Sequence, residues 1–266
     1  FAYSLLRRLP NRLQGVLARL REPRLIESQV NSVSPYIGPI ANQTNTLSDL
    51  GEVFRPSKRI HNYLPVYWVH LAAIRNDVRN VLEIGVQTDK SMRMWEEFFP
   101  QAVIHGLDID PQCSAFEGGG RRIHIGAQGD ERVLQSVLDA CDGGLDVVID
   151  DGSHRPLDVI KSLEFLLPRL TEHGVYVIED IAGSVGDTHK GIVAYLEKIA
   201  RSIYYWPKGL PARYWSSLGD FGNDAAWADR HVTGVALYRH IAFVFRGRNP
   251  SDNPFLGAED TKPPVG

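Results

Sequence analysis

Five short apolar runs punctuate the middle of the chain at Val81–Ile84, Val103–Leu107, Ile123–Ile125, Leu145–Ile149 and Val175–Ile178. Between them lie MRMWEEFF, ERVLQSVLDA and PLDVIKSLEFLLPRL, whose apolar residues recur at helical spacing. A run of three to five apolar residues is too short for a buried helix and reads as a strand covered on both faces. Strands separated by helix-length connections pair in parallel, because each connection must carry the chain back to the starting edge. The pattern therefore predicts an α/β fold with a mostly parallel sheet and helices on both faces. WVHLAAIR predicts a further helix before the first strand, and GVALYRHIAFVFRG predicts two antiparallel strands turning at Arg239-His240.

The rest of the chain frames this unit. Residues 1–22 place Leu5, Leu6, Leu9, Leu13, Val16, Leu17 and Leu20 on a helical stripe, with Arg7, Arg8, Arg12, Arg19 and Arg21 around it. Such a basic amphipathic helix can lie on an anionic membrane surface or dock on the chain's own core or a second subunit. Docking is the expectation, because Pro10 interrupts the pattern and a stripe of this kind is usually buried. A homo-oligomer is compatible with that reading. Residues 28–48 are polar with Pro and Gly and read as a linker, and the tail SDNPFLGAEDTKPPVG reads as disordered. The division expected is an N-terminal helix and linker over 1–46, a catalytic domain over 47–248 and a tail over 249–266.

Composition closes several alternatives. A formal net charge of −3 gives no general nucleic-acid surface. No run of about 18 apolar residues predicts a transmembrane helix. The only two cysteines, Cys113 and Cys141, have no metal-type spacing and are too few for a disulfide framework, so a reducing, cytoplasmic compartment is expected.

Open α/β sheets bind ligands beyond the carboxyl ends of their strands, where strand order reverses. The first strand, in VLEIGVQTDKS, ends on Glu83 and then Gly85, with a helix starting near Ser91. Gly85 lets the backbone turn close to a ligand. The second strand, in VIHGLDID, ends on Asp108, well placed to accept hydrogen bonds from a ribose diol; the competing reading is that Asp108 or Asp110 caps the turn before Pro111. Together these residues predict a nucleoside site. Gln128 follows the third strand, where it reads equally as an amide meeting an adenine edge or as an ordinary surface-loop glutamine, and Asp130 is the expected N-cap of the next helix. A G-x-G-x-x-G fingerprint is absent, which argues against a nicotinamide oxidoreductase.

The fourth strand runs into Asp150, Asp151, Gly152, Ser153 and His154, and the fifth ends on Glu179 and Asp180. As neighbours about 5 Å apart, the two strands would bring Asp151, Glu179 and Asp180 together. Three ionised carboxylates need a counter-charge. An all-oxygen set selects a hard cation, Mg²⁺ first, with Ca²⁺ and Mn²⁺ compatible. His154, on the same loop, suits a general base beside such an ion; its alternatives are metal ligation and a plain polar position at the helix N-terminus before Pro156. Asp150 has no assigned role. Ser153 lacks a G-x-S-x-G elbow, so a serine hydrolase is not supported.

In this order and spacing, VLEIGV, SMRMWEEFFP, HGLDIDP, DVVIDDGSH and GVYVIED resemble the metal-dependent sugar O-methyltransferases of macrolide tailoring, the mycinamicin and macrocin group, related to cephalosporin-hydroxylase-like proteins. LSDLGEVFRPSKRIHNYLPVYWVH resembles that family's lead-in to the first strand, and the resemblance spans about residues 47–246. It implies a class I, Rossmann-like S-adenosylmethionine-dependent methyltransferase fold, with Mg²⁺ chelated by neighbouring sugar hydroxyls. By position it implies Asp151, Glu179 and Asp180 as metal ligands, His154 as general base, Glu83 and Gly85 as the methionine-side motif and Asp108 as the ribose acid. Three positions depart from the family pattern: the loop VQTDKS lacks its further glycines, Ala127 stands where an acid is common, and Ser57 replaces an aspartate before Lys58.

The expected activity is methyl transfer from S-adenosylmethionine to a hydroxyl of a sugar or glycoside. The alternatives are a catechol or phenol O-methyltransferase that also uses Mg²⁺, and a non-catalytic cofactor-binding module. Residues 204–227 are rich in aromatics, Gly and Pro, and read either as an acceptor lid or as a loop whose Tyr205, Trp206, Trp215 and Trp227 cover the core. The family resemblance suggests Tyr63 as a residue closing over the cofactor.

Overall fold

A computed structural model describes residues 46–181, 191–203, 227–228 and 230–249. The expectations for the N-terminal helix, most of the linker, most of the aromatic segment and the tail lie outside the described residues; Trp227, at the end of the aromatic segment, is half-buried against the core. Thr46–Ser48, read as the end of the linker, open the first helix instead.

Among the described residues, three helices, α1 (Thr46–Phe54), α2 (Ser57–Ile60) and α3 (Leu64–Leu71), precede the sheet. The helix expected over WVHLAAIR ends at Leu71, and the chain then turns. Strands and helices alternate from there: β1 (Asn80–Ile84), α4 (Lys90–Phe98), β2 (Val103–Asp108), β3 (Arg121–Ile125), α5 (Glu131–Asp139), β4 (Leu145–Asp150), α6 (Pro156–Leu166), β5 (Leu170–Ile178) and α7 (Ile192–Ser202). The hairpin β6 (Val232–Tyr238) and β7 (Ile241–Arg246) follows. All five predicted parallel strands are present, and β5 starts earlier than its apolar run because Leu170 pairs with Leu145 on β4. Asp130 caps α5, its side chain accepting from Arg132 N.

The sheet order is β3-β2-β1-β4-β5-β7-β6, parallel through β5 and antiparallel at β7 and β6. Strand order reverses at β1, which lies between β2 and β4, so the crevice expected for a ligand opens above their carboxyl ends. No helix among the described residues is long and apolar enough to cross a membrane.

Side-chain alternation sorts the sheet into two faces. Val81, Val147, Ile149, Val175, Val177 and Phe243 point into a core shared with α1, α3 and α4. Leu82, Ile84, Val148, Tyr176, Ile178 and Val244 point into a second core under α5, α6 and α7. Extending the alternation past the last apolar residue places Glu83, Asp151 and Glu179 on the first face and Asp150 on the second.

Candidate functional site

The strand ends are level: Ile84 on β1 pairs with Asp150 on β4, which pairs with Ile178 on β5. Backbone bonds continue past the strands, from Asp151 N to Ile84 O and from Glu179 N to Asp150 O, both 2.9 Å. Two adjacent acids on an extended chain must face opposite ways, and Asp150 and Asp151 do so.

Asp150 goes down into the second core and is 1% exposed. It accepts from Gln128 Nε2 at 2.7 Å on both oxygens, from Tyr176 at 2.8 Å and from Ser162 at 3.1 Å. Burial pushes its carboxyl up to about 6, against the pull of those donors. Gln128 Oε1 in turn accepts from Ser153 N at 3.0 Å. Asp150 thus anchors the loop that carries Asp151 and His154. The Gln128 amide, read from sequence as an adenine contact, donates inward here although the residue lines the cavity.

On the opposite face lies a group that sequence reasoning missed. Lys58, on α2, is 1% exposed, with its ammonium 2.7 Å from Asp151 Oδ2, 2.9 Å from Glu179 Oε1 and 3.1 Å from Glu83 Oε1. Three N–H donors meet three carboxylates from three different strand ends. Burial alone would lower the lysine's pKa; the charges of Glu179, Glu83 and Asp151 outweigh it and hold the ammonium well above its ordinary range. Burial raises Glu83 and Glu179 despite that ammonium. Glu179 Oε1 also accepts from the Tyr67 hydroxyl, and Glu83 Oε2 accepts from Ser91 at 2.9 Å. In sequence, SKRIHN looks like an ordinary solvated basic turn, so nothing in it marks Lys58 as buried.

Asp151, His154 and Asp180 face the cavity, each offering one ligand atom within 4.8 Å of the others. His154 Nε2 is 3.9 Å from both Asp151 Oδ1 and Asp180 Oδ2. The other oxygen of Asp180 is occupied: Oδ1 accepts from the Tyr63 hydroxyl at 2.6 Å and lies 3.4 Å from His61 Nδ1. Burial, then that carboxylate, holds the Tyr63 phenol above its ordinary range. His154 and Asp180 adopt left-handed backbone at φ +54° and +52°. Such conformations cost energy and persist where the surroundings enforce them, commonly at functional sites. Ligands of Mg²⁺ at about 2.0–2.1 Å stand roughly 3–4 Å from one another, so this donor set fits a small hard cation.

The cavity has a volume of about 1060 Å³ and is lined by Gly85, Ser91, Asp108, Gln128, Asp151, His154 and Asp180 among others. Of the residues singled out in sequence, Glu83 and Glu179 are not in its lining and lie beneath it, on Lys58. Asp108 accepts at Oδ2 from Val86 N and Gln87 N, 2.8 and 2.9 Å, and at Oδ1 from Asp110 N, 2.9 Å. Burial works to raise its carboxyl, and the backbone amides of Asp110, Gln87 and Val86 overcome it, leaving an anion held below its ordinary value. Asp110 caps the 3-10 turn after Pro111, accepting from Gln112 N. Ile109, beside them, exposes 75% of its surface at the cavity, an apolar face that sequence reasoning passed over. Gly85 has φ +87°, and a Cβ there would stand 2.1 Å from Asp151 O. The cavity's size and the turn at Gly85 fit a nucleoside-bearing cofactor reaching from Asp108 to the acid cluster.

No family model matches the chain. Demethylmacrocin O-methyltransferase of Streptomyces fradiae is 33% identical over 207 residues, covering 71% of this chain and 50% of that protein. Mycinamicin VI 2''-O-methyltransferase of Micromonospora griseorubida is 34% identical over 198 residues, covering 71% and 49%. The solved MycE methyltransferase of the mycinamycin biosynthetic pathway, in complex with Mg, SAH and mycinamycin VI, superposes with a TM-score of 0.65 at 27% identity, covering 81% of this chain and 58% of that one. The chain spans about half the length of the curated relatives it matches. It is a homologue of the macrocin and mycinamicin sugar O-methyltransferases, built on the class I S-adenosylmethionine-dependent methyltransferase fold.

Proposed function

We propose that this protein is a Mg²⁺-dependent O-methyltransferase that transfers the methyl group of S-adenosylmethionine to a sugar hydroxyl of a glycoside. The observation that carries the reading is a single cavity holding Gly85 and Asp108 together with Asp151, His154 and Asp180. A methyl donor and a cation-bound acceptor need such a shared space, because the reacting atoms must come within about 3–3.5 Å.

Gly85 and the Asp108-capped loop seat the donor, and the Asp108 carboxylate receives the ribose hydroxyls. Asp151 and Asp180 hold the cation, with Glu179 behind them on Lys58. When bound, Mg²⁺ supplies positive charge that lowers the pKa of an acceptor hydroxyl. His154 Nε2 takes the hydroxyl proton. The acceptor oxygen forms its bond to the methyl carbon as the carbon–sulfur bond breaks, and the electron pair passes to sulfur, leaving S-adenosylhomocysteine. The proton then rests on His154 Nε2, which lies 3.9 Å from Asp151 Oδ1 and from Asp180 Oδ2.

Homology to enzymes named for macrolide and tetracenomycin glycosides supports a secondary-metabolite sugar as the acceptor. Free Cys113 and Cys141 agree with a cytoplasmic setting. The test incubates the protein with methyl-labelled S-adenosylmethionine and a glycoside panel, with Mg²⁺ or with EDTA, and follows product mass. Label in a glycoside only when Mg²⁺ is present is expected. Transfer unaffected by EDTA, or transfer to a simple diphenol and to no glycoside, would refute the reading.

A further inference from the structure

Each acid around the proposed cation has one oxygen already engaged by a side chain from the segment before β1. Lys58 takes Asp151 Oδ2 at 2.7 Å and Glu179 Oε1 at 2.9 Å. Tyr63 takes Asp180 Oδ1 at 2.6 Å. Both donors are buried, Lys58 at 1% and Tyr63 at 2% exposure, whereas Asp151 and Asp180 keep part of their surface at the cavity. Tyr67 adds a second donor to Glu179 Oε1, the same oxygen that Lys58 uses. Asp151 Oδ1 and Asp180 Oδ2 remain turned toward His154.

We infer that Lys58 and Tyr63 are positioning residues that restrict each acid to a single free oxygen and thereby set the metal selectivity of the site. The inference rests on the cation site proposed above. Mg²⁺ takes six ligands in a near-ideal octahedron and accepts carboxylates through one oxygen each. Ca²⁺ takes six to eight oxygens and gains from carboxylates that turn to offer both. Acids pinned by one oxygen supply the first arrangement and deny the second. Lys58 touches neither cation nor substrate in this account. Its tetrahedral ammonium reaches three strand ends at once, which a neutral side chain of similar length, such as methionine, cannot do. Through Glu83 it also joins the floor of the donor end to the acid cluster, so the whole arrangement is fixed from one point on α2.

The test is calorimetric titration of the full chain with MgCl₂ and, separately, CaCl₂, reading the ratio of the two dissociation constants with no turnover required. Wild type is expected to bind Mg²⁺ more tightly than Ca²⁺. In Tyr63→Phe and in Lys58→Met/Glu83→Gln, where one positive and one negative charge leave together, that ratio is expected to move toward Ca²⁺ by about tenfold or more. The double variant guards against misfolding from an unbalanced buried charge, and Tyr63→Phe changes no charge at all. A ratio that stays at the wild-type value in every folded variant overturns the inference while leaving the cation site standing. A wild type that already prefers Ca²⁺ overturns it without recourse to variants. Wild type binding neither ion would remove the site itself, and this inference with it.

Discussion

Replacing Gly85 with alanine puts a methyl carbon 2.1 Å from the carbonyl oxygen of Asp151, 2.6 Å from its carbonyl carbon and 2.9 Å from Gly152 Cα. All three are backbone atoms, so no side chain can swing aside, and the two loops must part by more than 1 Å to restore ordinary contact. The substitution also places an L-residue at φ +87°, which costs about 1–2 kcal/mol. Overpacking against an immovable neighbour adds about 1–3 kcal/mol. The sum, about 2–5 kcal/mol, corresponds to a fall in Tm of roughly 4–20 °C for a domain of this size. Because the atom struck belongs to Asp151, the damage should reach the proposed cation as well as the donor. A displacement of about 1 Å in a reacting group can cost about a hundredfold in rate. Scanning calorimetry gives the stability change, titration with S-adenosylhomocysteine and Mg²⁺ gives the two affinities, and both should fall together. A Tm unchanged within error, or loss of donor affinity with Mg²⁺ binding intact, would show that the two loops are not in the contact described.

His154→Ala should lower kcat by about 10²–10⁴-fold with donor affinity unchanged in calorimetry; near-normal turnover would remove His154 as the base. Burial lowers His70 and His105 to about 4 from the ordinary 6.5. A depressed histidine contributes stability that is full above pH 6.5 and is lost as pH falls toward 4. With partial solvent access allowed for, each is worth about 1–3 kcal/mol. Urea midpoints of wild type between pH 7.5 and 4.5 should therefore fall more steeply than those of His70→Phe/His105→Asn, a comparison in which carboxylates common to both cancel. Parallel curves would refute the assignment.

The parallel sheet was legible because apolar runs of strand length alternating with amphipathic segments of helix length leave few other ways to bury both. The hairpin at Arg239-His240 and the cap at Asp130 were legible for equally local reasons. That acidic side chains gather at the strand ends followed from acids placed where apolar runs stop. Some boundaries were not legible. Thr46 begins a helix within a polar stretch, since Leu47 and Leu50 find a core that lies far along the chain.

Asp150 and Asp151 show where local sequence stops and tertiary structure begins. Alternation along β4 already required them to face opposite ways. Only the packed sheet decided that one face offers Gln128, Ser162 and Tyr176 and the other offers Lys58. From sequence, convergent carboxylates demanded a positive charge, and a divalent cation was the natural candidate. The fold answers part of that demand with a lysine on a four-residue helix, 93 residues from Asp151. No periodicity or spacing reports a partner at that distance, because the contact exists only once α2 is packed over the strand ends. The chain's own pattern determined the sheet and its acid-tipped edges; burial, which depends on every element at once, decided which acids stay free.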